Sequence, residues 1–118
     1  MMKAIRGAIS ADNNTSSAIS SAACQLFSQL LASNGISESD LTCLLISHTK
    51  DLTALNSATA LRKAGLCTKV PLFCVQEADI CGSMPLMIRM MVLTEAEIEK
   101  IQPVYLKEAV KLRPDLAQ

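Results

Sequence analysis

The amino-acid sequence predicts an α+β fold: a mixed sheet of five strands with two main helices on one face. Three observations lead there. Half of the 118 residues are apolar, yet the chain has one Tyr, two Phe and no Trp. Its core must therefore be built from Leu, Ile, Val, Ala and Met, which favours close helix-on-sheet packing. The hydrophobic period changes along the chain between two and about 3.6 residues, and the changes read in the order β-α-β-α-β-β-β. At this length residues 1–118 are expected to form a single domain.

Lys3 to Ile9 reads as the first strand, with Gly7 permitting close backbone approach. Asp12-Asn13-Asn14 is a polar turn that offers helix caps. From Thr15 to Asn34, Ile19, Ala22, Ala23, Leu26, Phe27, Leu30 and Leu31 recur at three- and four-residue steps, an amphipathic helix closed by Gly35. Leu41 to Ser47 is apolar apart from Thr42, as in a strand covered on both faces. A shorter helix over 55–64 buries Ala58 and Leu61 and ends at Gly65. Val70 to Val75 and Pro85 to Leu93 are the next strands, with Gly82-Ser83 in the turn between them. Thr94 and Glu97 have the spacing of a capping box, which predicts a short helical turn. The alternation of Val104, Leu106, Val110 and Leu112 with Tyr105, Lys107 and Lys111 predicts a last strand, stopped at Pro114.

Both helices are used on one face, and the other face is apolar with no element left to cover it. Burial against further copies of the chain is the expected outcome. Eleven basic and eleven acidic residues cancel, so there is no basic stripe for phosphate backbones and nucleic-acid binding has no support. The five cysteines (Cys24, Cys43, Cys67, Cys74, Cys81) are odd in number and show no CxxC spacing. They predict neither a zinc site nor a disulfide framework, and suit a reducing, cytoplasmic setting. No leader-like segment follows Met1-Met2-Lys3, and no run is long and apolar enough to span a membrane.

Function is hinted at in three stretches: Ile5-Arg6-Gly7-Ala8, Cys74-Val75-Gln76-Glu77 and Met87-Ile88-Arg89-Met90-Met91. In each, an ionised residue interrupts what otherwise reads as buried strand. A charge at an inward strand position is costly unless it is paired or meets a charged ligand. Two guanidiniums and a carboxylate would suit a small anion that also carries a hydrogen-bond donor. Blander readings stand beside this one. Glu77 and Arg89 could simply pair across strands, Arg6 could be an edge-strand arginine, and Tyr105 could only pack. Cys74 could be core, His48 a solvated strand end, and Met84, Met87, Met90 and Met91 core filler.

These residues sit in six motifs: Ile5-Arg6-Gly7-Ala8, Ser47-His48-Thr49-Lys50-Asp51-Leu52, Pro71-Leu72-Phe73-Cys74-Val75-Gln76-Glu77, Ile88-Arg89-Met90-Met91, Val104-Tyr105-Leu106 and Leu112-Arg113-Pro114-Asp115-Leu116. Each is weak alone. In this order and spacing the chain resembles the pseudo-α/β-barrel class of chorismate mutases over nearly its whole length. The resemblance implies an isomerase of the shikimate pathway that converts chorismate to prephenate without cofactor or metal, as a homotrimer with pockets between subunits. It implies Arg6 on a substrate carboxylate with Tyr105 assisting, and Arg89 beside the breaking ether oxygen. Glu77 would accept the ring hydroxyl with Cys74 near it, and Arg62 and Phe73 would be further pocket residues. Two positions depart from the family pattern: Asn56 replaces an apolar aromatic wall, and His48 a small residue. The tail that could cover the site is expected to be short after Leu116. An imine deaminase and a non-catalytic metabolite-sensing trimer of similar architecture are the alternatives, and the Glu77–Arg89 pair beside Arg6 speaks against the deaminase.

Overall fold

A computed structural model describes residues 1–116. The elements run β1 (Lys3–Ser10), α1 (Ser16–Asn34), β2 (Leu41–His48), α2 (Ser57–Lys63), β3 (Leu72–Gln76), β4 (Met87–Thr94) and β5 (Val104–Leu106), with short 3-10 turns at Glu38–Asp40 and Lys107–Lys111. The strands form one mixed sheet in the order β3-β2-β4-β1-β5. β4 lies antiparallel to both β1 and β2, whereas β5 runs parallel to β1 and β3 parallel to β2.

Strand alternation divides the sheet into two faces. Ile5, Ile9, Leu44, Ile46, Ile88, Met90, Val92 and Val104 join Ile19, Leu26, Phe27, Leu30 and Leu61 of the helices in one buried cluster. Both helices therefore cover the same face. Gly7 lets α1 come close: a Cβ there would stand 3.0 Å from Leu26 Cδ1 and 3.1 Å from both Leu30 Cδ2 and the Val104 carbonyl oxygen. The ends of α1 follow from its sequence. The Thr15 hydroxyl accepts from the Ala18 amide, and Gly35 closes the helix in the left-handed region at φ 62°.

Two expected elements differ. Residues 94–97 form no helical turn, because Thr94 is the last residue of β4 and wholly buried. Its hydroxyl donates to the Asp40 carbonyl (2.6 Å) and accepts from the Ala96 amide (3.0 Å), which leaves it tied to the sheet. The expected strand from Val104 to Leu112 stops at Leu106. Lys107 turns to φ 54°, and the chain continues as a 3-10 turn that buries Ala109 beneath Tyr105 and Met87. Asn56, expected as a departure in a pocket wall, caps α2: its Oδ1 accepts from the Ala58 and Thr59 amides. Residues 117 and 118, the end of the tail, lie outside the described residues.

Candidate active site

The helix-free face carries the charges. In β4 the residues alternate, so Met87, Arg89 and Met91 point away from the helix-side Ile88, Met90 and Val92. Register sets Arg89 opposite Ala8 on one side and Ser47 on the other, and continues the row to Tyr105 and Val75. A second row joins Arg6, Met91, Leu45 and Phe73. Short neighbours flank Arg89, so its guanidinium stands over a hollow. An open cleft of about 420 Å³ lies there, bordered by Arg6, Ala8, Leu45, Ser47, Val75, Arg89, Met91, Tyr105 and Arg113.

Arg89 Nε stands 2.7 Å from Glu77 Oε1. The contact is an ion pair without an aligned hydrogen bond: that oxygen is buried and receives no hydrogen-bond donor from the described residues. Glu77 thus approaches the guanidinium from beside the cleft, and itself borders a neighbouring hollow with Lys50, Asp51 and Asp79. Its backbone is fixed by its amide, which donates to the His48 carbonyl at 2.7 Å. The Arg89 side chain is 45% exposed and borders the cleft as well as meeting Glu77.

Arg113 supplies a third guanidinium. Nε and Nη2 donate to the two Asp115 carboxylate oxygens at 3.0 and 2.8 Å, an exposed bidentate pair. Asp115 is held below the usual carboxylate range first by that hydrogen bond, with a smaller pull from Arg6. Tyr105 is nearly buried, its ring against Ala8, Met87 and Ala109. The cleft therefore offers three arginines, of which Arg89 is paired with Glu77 and Arg113 with Asp115, and an apolar border. The net positive charge suits a small anion electrostatically.

A family model described as chorismate mutase type I matches residues 2–116. The chain belongs to that family. It is an isomerase that converts chorismate to prephenate. It is 40% identical over 119 aligned positions to "Chorismate mutase AroH" of Thermus thermophilus, covering 98% of this chain and 97% of that one. To the protein of the same name from Bacillus subtilis (strain 168) it is 34% identical, covering 99% and 94%. A solved chorismate mutase from Clostridium thermocellum shares the fold at a TM-score of 0.85 and 35% identity, covering 91% of this chain and 96% of that one.

Of the site residues expected in this mutase, Arg6, Arg89 and Tyr105 border one cleft and Glu77 reaches Arg89 from its side. Three others are not brought to it within one chain. Phe73 shares the open face but sits on edge strand β3, 64% exposed. Cys74 points to the helix side, its sulfur 3.4 Å from His48 Nε2. Arg62 is exposed in the last turn of α2. Sequence reasoning gave no site role to Arg113 or Ser47, although both stand in the matched motifs; register places Ser47 beside Arg89, and Arg113 borders the same cleft.

Proposed function

We propose that Arg89 and Glu77 are the catalytic residues of the chorismate-to-prephenate rearrangement. The observation that carries this reading is the Arg89 guanidinium, paired at Nε with Glu77 and standing over a cleft bordered by two further arginines. The reaction breaks the ether C–O bond while a C–C bond forms, with no proton moved and no bond to the protein. Rate then comes from holding the substrate in its compact conformer and from stabilising charge on the ether oxygen. Arg89 supplies that charge through a rigid fork of donors that does not titrate. Glu77 accepts the ring hydroxyl and offsets positive character on the ring. Arg6, with Tyr105 beside it, binds a substrate carboxylate.

The site is completed in a homotrimer, a pseudo-α/β barrel of three sheets. Support comes from the helix-free face, where Leu45, Phe73, Val75 and Met91 are 40%, 64%, 46% and 40% exposed. An apolar surface of this kind favours burial against another subunit. In that arrangement Phe73 and Arg62 are substrate-binding residues delivered by a neighbour to the cleft of the next chain, while Cys74 faces His48 on the helix side. Two measurements test the reading. Chorismate absorbance should disappear with the purified protein, and Glu77→Gln and Arg89→Ala should each abolish most of that turnover. Native mass should equal three chains, and an active monomer would refute the shared site.

A further inference from the structure

His48 is the last residue of β2, and its imidazole lies on the helix side of the sheet, 9% exposed. Its Nε2 accepts the Ser57 amide at 3.3 Å. An amide can only donate, so this nitrogen carries a lone pair and the ring proton sits on Nδ1. The Cys74 thiol lies 3.4 Å from the same nitrogen and donates to it in this tautomer. One nitrogen thus joins the first turn of α2 to edge strand β3. The Ser57 hydroxyl, wholly buried, has no hydrogen-bond partner among the described residues. Its amide–imidazole bond is therefore one polar tether of Ser57 to the sheet, beside the reach of the Ser57 and Ala58 amides to the Cys74 sulfur.

The backbone of the same residue leads to the reaction. The His48 carbonyl accepts the Glu77 amide at 2.7 Å, three residues beyond Cys74. Both ends of the segment Cys74–Glu77 are thus held by one residue, at Cys74 by its side chain and at Glu77 by its main chain. The Glu77 carboxylate is in turn the partner of Arg89. We propose that neutral His48 is a positioning residue for Glu77: a proton on Nε2 removes the acceptor that ties α2 to β3, and the Glu77–Arg89 pair loses its geometry. This inference rests on the catalytic role proposed above for Glu77.

The surroundings make the imidazole the group that titrates. Cys74 is the titratable side chain that β3 presents to it, and burial raises that thiol, partly offset by the Ala58 and Ser57 amides. Across the sheet β4 presents apolar Ile88, and the basic residues of α2, Arg62 and Lys63, stand in its last turn. Burial holds His48 below its ordinary value of 6.5. The sign follows. A lowered folded-state value means that the neutral tether is fully present above about pH 6.5 and is lost as pH falls through the folded value.

The test measures kcat and KM for chorismate between pH 5 and 8.5 in wild type, His48→Gln and His48→Ala. Melting temperatures are recorded at each pH. Glutamine keeps an acceptor at this reach and does not titrate. Wild-type kcat is expected to be level from pH 7 to 8.5 and to fall relative to His48→Gln as pH drops below 6.5, with the melting temperature still well above the assay temperature. His48→Gln should match wild type at pH 8 and stay level in acid. His48→Ala should lower kcat at least fivefold at every pH while KM changes less than twofold. Parallel acid limbs in wild type and His48→Gln would overturn the proposal, as would an acid loss that merely follows unfolding. Glu77→Gln separates the two ideas. If it turns over normally, the reading of Glu77 fails; if it is inactive and His48→Gln keeps the acid limb, the His48 proposal alone fails.

Discussion

Replacing Arg89 with lysine keeps the charge and removes the fork. In the structure the guanidinium meets Glu77 at 2.7 Å through Nε and also borders the cleft. A lysine has one nitrogen and must choose. If it pairs with Glu77, no donor reaches the ether oxygen; if it reaches into the cleft, a buried carboxylate oxygen loses its counter-charge. Either way one preorganised donor is lost, which costs about 3–4 kcal/mol in the transition state. That energy corresponds to roughly 10²–10³-fold in kcat. KM should move much less, because Arg6 and Arg113 still border the cleft. Residue 89 is exposed, so the core is untouched and the melting temperature should change little. The assay is the loss of chorismate absorbance under saturating substrate. A kcat within fivefold of wild type would refute the fork argument, and so would a loss confined to KM.

Two further outcomes are expected. Arg113→Ala should raise KM severalfold with a smaller effect on kcat, since Arg113 borders the cleft but stands apart from the Arg89–Glu77 pair; steady-state kinetics would check it. Gly7→Ala should destabilise the fold by about 1–3 kcal/mol, read from the denaturant midpoint. The added methyl meets the Val104 carbonyl of β5 at 3.1 Å, and backbone yields less readily than the two leucine tips on the other side.

The long helix was legible because its period persists over five turns and both ends carry their own signals, a threonine cap and a left-handed glycine. Short segments were less so. From Val104 onward the alternation holds for only a few residues before Glu108 interrupts it, too short a run to carry a strand. What decides is the burial of Ala109, a tertiary fact with no local trace. Thr94 had the spacing of a cap, but its hydroxyl found a nearer partner in the Asp40 carbonyl, which belongs to a segment 54 residues away. Arg6 and Arg89 could be read as site residues because a charge among buried strand positions needs an explanation. Arg113 gave no such signal, since it follows an irregular turn and is exposed. The position of Cys74 was in principle readable. In extended chain an odd step changes face, so residues 74 and 77 do not share a side of the sheet.

The two residues that flank Arg89 across the sheet bear no charge, residue 8 to one side and residue 47 to the other. A single added methyl at residue 47, which is only half-buried, would narrow the recess while leaving the ionic groups in place. What size of molecule is admitted and how it is transformed are thus encoded at separate places on three adjacent strands.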